Sequence, residues 1–289
     1  MKASIECLEC VVHQALRAAK IAGDDPKIHR AVLNAAAADV PSMDLNQSPA
    51  VLSLKLYQYA QKLSGVADPY AKIKRDHNTM MLELEDELEQ LVQESDQPLI
   101  TALKLAAAGN VIDLGIMQAH EINPQEAIAQ AMETPLAMDH TTHFLENLKP
   151  CADFLYLLDN AGEIVFDKVL IRQLQRHTCV TAVVKAAPII NDACLEDAEQ
   201  VGLTDICDVI DNGGAFVGSP LTLVPETFLQ RMTQADIILG KGQGNYETID
   251  DFEENVYLLL KAKCETIAKH IGISLGETAF ISTHLRDSK

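Results

Sequence analysis

The sequence predicts an α/β protein: a Rossmann-like α/β/α three-layer domain with a mainly parallel sheet, preceded by an all-α N-terminal region. Three observations carry this. Apolar residues recur at helical spacing through the first half of the chain. The second half alternates short β-rich runs with patterned helices. Each of those runs then ends in polar residues or glycine. Strands alternating with helices imply a parallel sheet covered on both faces. The expected division is 1–95 as the helical region and 96–289 as the α/β/α domain, still helical to about residue 150.

The helical half has clear punctuation. In "IECLECVVHQALRAAKIAG", Ile5, Leu8, Val12, Ala15, Leu16 and Ala19 share one face, and Gly23 stands as a C-cap. "SPAVLSLKLYQYAQKLSG" starts with Ser48 as N-cap and Pro49 at the first helical position, and stops at Gly65. "DPYAKIKRDHNTMMLELEDELEQLVQES" reads as one long, charged amphipathic helix, and "DQPLITALKLAAAGNVIDLG" as a more apolar, buried one.

Four strands are expected in the second half: "FLYLLD" (154–159), "VTAVVK" (180–185), "CDVI" (207–210) and "ADIILG" (235–240). In open α/β sheets ligands bind outside the carboxyl ends of the strands. Asp159, Asn160 and Gly162 follow the first strand. Lys185, Asn191 and Asp192 follow the second. Asp211, Asn212, Gly213 and Gly214 follow the third, and Lys241, Gly242, Gln243, Gly244, Asn245 and Glu247 the fourth. Hard oxygen donors at this density suit Mg²⁺ or Mn²⁺. Lysines and glycine-rich N–H groups suit phosphate.

Each loop also has a plain structural explanation. Asp159 or Asn160 could be a helix N-cap. Asp211-Asn212-Gly213-Gly214 could be a turn, and "LGKGQGNYE" a flexible loop, since it has neither P-loop order nor a GxGxxG fingerprint. Asn110 and Asp113 lie three apart on one helical face, either as a hydrogen-bonded core pair or as oxygens offered to a metal or substrate. Cys7 and Cys10 form a C-x-x-C within a helix, compatible with packed thiols, with a redox pair, or with a metal site completed by His13 and His77 through tertiary contact.

Composition narrows the function classes. With 289 residues and 48% hydrophobic content, the chain can build a sizeable core, and 4% aromatics with no Trp make that core aliphatic. A net charge of -19 argues against nonspecific contact with nucleic acid or anionic membranes. Seven scattered cysteines fit free thiols better than a disulfide framework. No apolar run of membrane-spanning length and no signal-peptide core is visible, so the expected location is the cytoplasm.

Taken together, "CLEC", "AAAGNVIDLG", "LDNAGEIVFDK", "VVKAAPIINDA", "VIDNGG", "ILGKGQGNYE" and the terminal "LLLKAKCETIAKHIGISLG" resemble the DUF89 family of metal-dependent phosphatases, over almost the whole chain. The C-x-x-C is similar to the shorter, microbial-type branch. The resemblance implies a divalent metal held by Asp159, Asn160 and Asp192, and phosphate contacts from the loop Lys241 to Asn245. It also implies damage-control hydrolysis of unwanted phosphometabolites, including sugar phosphates and phosphopantetheine derivatives. Where the family commonly has arginine and two glycines, this chain has Lys185-Ala186-Ala187-Pro188, which keeps the positive charge and alters the loop.

The expected reaction is metal-assisted phosphomonoester hydrolysis, with Mg²⁺, Mn²⁺, Co²⁺ or Ni²⁺ as candidate ions. Lys241 and Lys185 would stabilise the equatorial oxygens, with the N–H groups of Gly242 and Gly244 adding to this. Water is the expected attacking group, with Asp192 as ligand or base. An aspartyl nucleophile is the rival, without the Asp-x-Asp spacing that supplies a general acid. A non-catalytic phosphometabolite- or nucleotide-binding regulator and an S-adenosylmethionine-dependent methyltransferase are the alternative functions.

Overall fold

A computed structural model describes residues 1–111 and 123–288. Asp113 therefore lies outside the described residues.

The helical half begins with α1 (Ile5–Ala22), α2 (Pro26–Asp39) and α3 (Pro49–Ser64). Their alanine-rich faces, Ala15, Ala18 and Ala36 among them, pack into one cluster with Leu56 and Ala60. The cluster also takes in Ile189, from a loop at the edge of the sheet. Ser48 caps α3 by accepting from the Val51 N–H at 3.3 Å, and Gly65 ends it at φ +74°.

The single long helix expected between Asp68 and Ser95 is instead two, α4 (Ala71–Leu82) and α5 (Glu85–Gln93). The break at Glu83-Leu84 has a packing reason. Leu84 and Leu88 both enter the core, and Glu85 meets Lys168 and Arg172 at 2.7 and 2.9 Å. The bend wraps the chain around a later helix that one straight rod would not follow.

Next come α6 (Pro98–Val111), α7 (Pro124–Glu133), β1 (Met138–Asp139) and α8 (Thr141–Leu148). Strands and helices then alternate: β2 (Asp153–Leu157), α9 (Glu163–Leu174), β3 (Cys179–Val184), α10 (Leu195–Gln200), β4 (Asp208–Asp211), α11 (Glu226–Gln234), β5 (Ile237–Lys241), α12 (Gly242–Ile249), β6 (Val256–Lys261), α13 (Glu265–Ile271) and β7 (Thr278–Ser282). The sheet order is β1-β7-β6-β5-β2-β3-β4, parallel throughout except where β6 meets β7.

The four expected strands are present as β2 to β5, within a few residues of their sequence limits. Three were not legible as strands. β1 has only two residues, too few to carry a pattern, and sits inside the stretch expected to be helical. β6 and β7 are buried along nearly their whole length and show little alternation.

Alternation along β2 sets the three layers. Phe154, Tyr156 and Leu158 face the core shared with α6, α8 and α9, while Leu155 and Leu157 face the core shared with α11, α12 and α13. The chain runs from β2 outward through β3 to β4, then returns on the other side of β2 as β5. That reversal makes the carboxyl ends of β2 and β5 the topological switch point, where such sheets open a crevice.

Candidate active site

Asp159 and Asn160 follow β2 at this switch point, and both are buried. The loop after β3 is laced to them by backbone. The Ala193 N–H donates to Asp159 O at 2.8 Å, and the Ala161 N–H to Asn191 O at 2.9 Å. An isolated antiparallel bridge pairs Asn160 with Asp192. Ile190 in that loop takes φ +40°, the only non-glycine with positive φ among the described residues. Such conformations persist where the surroundings over-determine them, often at functional sites.

Around Asp159 the polar groups crowd. The Asn160 Nδ2 donates to Asp159 Oδ2 at 2.9 Å and to Glu163 Oε2 at 3.2 Å. The Asn110 Nδ2 donates to Asp159 Oδ2 at 3.2 Å and to both oxygens of Glu163. Gly242 closes one side. A Cβ there would stand 1.8 Å from Asp159 Oδ2, and the residue takes φ +76°, so glycine is required on both counts. Burial, then the negative charges of Glu163 and Asp192, hold the Asp159 carboxyl well above its ordinary range, only partly offset by Lys263 and Lys185.

The structure revises several roles expected from sequence. Lys241 is completely buried. Its Nζ donates to Ala106 O at 3.0 Å, Glu163 Oε1 at 2.7 Å and Asp167 Oδ1 at 2.5 Å, which engages all three of its protons. Strand alternation is the reason: Lys241 falls on the same face of β5 as Ile237 and Leu239, toward α6 and α9. These carboxylates lift its ammonium to about 12 against the opposing effect of burial.

Asn245 is buried, and its Nδ2 donates to Lys241 O at 2.8 Å and to Leu158 O at 3.3 Å, so it clamps β5 to β2 rather than offering an amide outward. Asn110 has its oxygen occupied as well, accepting from the Lys261 N–H at 3.2 Å. Gly244 permits close packing, since a Cβ would meet Val217 Cγ1 at 2.8 Å. Lys185 donates to Gly218 O at 2.9 Å and faces Asp192 Oδ2 at 3.5 Å.

Three residues of this neighbourhood were missed. Glu163 and Asp167 lie four apart on α9, and both are buried. Two carboxylates at that spacing on an otherwise apolar helix were a readable signal. Asp167 is lifted to about 6, by burial before any other cause. Lys263 follows β6, and went unnoticed because β6 did.

The residues fit a divalent ion by the chemistry of the donor set. Two buried carboxylates and a carboxamide, with a third carboxylate beside them, leave a surplus of negative charge that a cation would relieve. Among the described residues no three His, Cys, Asp or Glu side chains form a ready-made chelate. A sparse protein set suits an ion that keeps several waters, as Mg²⁺ does.

Comparison with known proteins shows the family. The family described as damage-control phosphatase ARMT1-like domain matches residues 3–279. The chain belongs to that family. A damage-control phosphatase of Pyrococcus horikoshii is 32% identical over 280 residues, 96% of this chain and 96% of that one. A damage-control phosphatase of Archaeoglobus fulgidus is 32% identical over 288 residues, covering 96% of this chain and 98% of its own. The crystal structure of a DUF89 family protein from P. horikoshii superposes with a TM-score of 0.89 at 31% identity, covering 98% of this chain and 99% of that chain. The fold of this family member is thus the DUF89 fold.

The C-x-x-C of this member lies in the first turns of α1, whose N-cap Ser4 meets Thr266 of α13 at 2.9 Å. Cys7 is buried and its sulfur accepts from the Ser4 N–H at 3.4 Å, whereas Cys10 is exposed, and neither is in a disulfide. His77 packs against Gly162, its Cβ 3.1 Å from where a glycine side chain would begin.

Proposed function

We propose that this protein is a divalent-metal-dependent phosphatase of small phosphorylated metabolites, with sugar phosphates, phosphopantetheine-like compounds and damaged phosphometabolites as substrate classes. The observation that carries the reading is the buried carboxylate crowding at Asp159, beside Asp192 and Asn160, at the switch point of the sheet. The names of the two archaeal relatives point the same way. Mg²⁺, Mn²⁺, Co²⁺ and Ni²⁺ are the candidate ions, held by Asp159, Asn160 and Asp192. When bound, the ion neutralises phosphate charge and acidifies water.

The chain's own groups do the rest. Asp192, which faces Lys185 at 3.5 Å, is the proposed ligand or base for the attacking water. Lys185 and Lys263 supply positive charge near Asp159. The first N–H groups of α12, from Gly242 to Gly244, have no intrahelical partner and favour an anion. Lys241 acts as a positioning residue, balancing Glu163 and Asp167 beneath the site. The setting we infer is the cytoplasm. The partner is a small molecule, with neither nucleic acid nor membrane involved, and no helix among the described residues is long and apolar enough to cross a membrane.

The test is a panel of phosphometabolites screened for phosphate release with each of the four ions and with chelator. Metal-dependent release from at least one small phosphomonoester is the expected result. Tight binding of a phosphometabolite with no release under any ion would replace the enzyme with a regulator.

A further inference from the structure

A cavity of about 250 Å³ lies between α6, α7, the segment leading into β1, the end of β6 and the start of β7. Its walls are largely apolar, with Ala107, Ala131 and Leu136 among them, yet two lysines, Lys104 and Lys261, line it as well. That is notable in a chain with net charge -19. The Glu277 carboxylate also lines it, but accepts from the Ser274 N–H at 2.7 Å. Lys104 donates to Met132 O at 3.3 Å.

The cavity is coupled to the site through two elements. Lys261 lines the cavity while its backbone N–H is held by Asn110, the residue that also donates to Asp159. On α6, Ala107 and Lys104 precede Asn110 by one and two turns, so the cavity extends roughly 9 Å along the helix from the Asp159 contact. Lys261 is held below its ordinary range by burial and by Lys263, and an anion beside it would relieve that.

We propose that this cavity receives the non-phosphate end of the substrate, and that this end is an apolar stem closed by a carboxylate or similar anion bound between Lys104 and Lys261. The inference rests on the phosphatase reading for the position of the phosphate, and narrows the substrates to phosphomonoesters with a second anionic group at the far end.

Calorimetry on the whole chain with Mg²⁺ compares 6-phosphonooxyhexanoate with hexyl phosphate. The carboxylate ligand is expected to bind wild type about tenfold more tightly, the scale of one charge-assisted hydrogen bond. That preference should shrink to about twofold or less in Lys104→Met/Lys261→Met, where no ammonium remains to pair with it. Should that variant fail to fold by circular dichroism, Ala131→Phe provides the second arm: filling the cavity should weaken hexyl phosphate relative to methyl phosphate by about tenfold, through lost room for the stem. Adipate, which has no phosphate, separates the two readings, since its binding and loss in the lysine variant need no turnover. Equal affinity for the two six-carbon phosphates in wild type, or a preference unchanged by the variants, overturns the proposal even if phosphatase activity is found.

Discussion

The carboxyl ends of β2 and β4 carry the same Asp-Asn step followed by small residues, Asp159-Asn160-Ala161-Gly162 and Asp211-Asn212-Gly213-Gly214, yet they become different objects. At β4, Asp211 is exposed and accepts from the Gly213 N–H at 2.8 Å, while buried Asn212 accepts from the Gly214 N–H at 3.3 Å and donates to Gly218 O at 3.2 Å: an Asx turn whose side chains meet backbone groups and no second carboxylate. At β2, Asp159 is buried and surrounded by Glu163, Asn110, Asn160 and Gly242. The difference is position. β4 is an edge strand, whereas β2 lies between β3 and β5 at the reversal of strand order. An Asp-Asn step is therefore a turn by default, and becomes a candidate site only where the topology brings other strand ends to it.

The largest effect separating the two loops should come from Lys241, which balances charge beneath β2 and has no counterpart at β4. Lys241→Met leaves Glu163 and Asp167 uncompensated in the core and should cost roughly 3–5 kcal/mol in denaturant unfolding. A loss below about 1 kcal/mol would mean the carboxylates are neutral without it.

Next in size is the aspartate pair. Asp159→Asn should lower kcat by at least about a hundredfold, the scale of one strong transition-state contact. It should also stabilise the metal-free protein by removing one of three crowded carboxylates. Asp211→Asn should leave the rate unchanged and stability within about 0.5 kcal/mol. Parallel kinetics and melting curves on both variants make the check.

The glycines sharpen the comparison further. Gly242→Ala and Gly213→Ala both place a Cβ at positive φ against a close neighbour, 1.8 Å from Asp159 Oδ2 and 2.2 Å from Pro225 Cγ. Each should cost roughly 1–3 kcal/mol. Only Gly242→Ala should also weaken metal binding, because only it displaces a proposed ligand.

The last effect concerns pH. Burial lifts Glu247, on the helix after β5, to about 7. An acid raised on folding binds more protons folded than unfolded between its two values. Stability therefore falls as pH rises from about 4.5 to about 7, by at most about 1.4 kcal/mol per pH unit from this group. Glu247→Gln should flatten that part of the stability–pH curve, read by thermal melts.

Much of this was legible in the sequence, and the misses share a cause. β2 to β5 announced themselves as aliphatic runs between punctuated helices, and Asp159, Asn160 and Asp192 as residues following strands. What was lost is which way a side chain points. Lys241 looked like a phosphate contact because it stands at a strand end among glycines, but the two-residue period of β5 turns it into the core with Ile237 and Leu239. Asn245 looked equally exposed, yet its amide closes backbone groups between two strands. The lysine–carboxylate network under the site depends on α6 and α9 lying against β5, and that is a tertiary fact. Short β1 and uniformly buried β6 gave no periodicity to read, and Lys263 was lost with β6.

The most direct measurement is a calorimetric titration of Mg²⁺ and Mn²⁺ into the wild type, Asp159→Asn and Asp211→Asn proteins. The account predicts one ion bound with equal affinity by wild type and Asp211→Asn, and binding weakened by at least about tenfold in Asp159→Asn, which loses one charged ligand. Undiminished binding by Asp159→Asn, or loss of binding on changing Asp211, would contradict it and leave the β2 loop as a helix-capping turn.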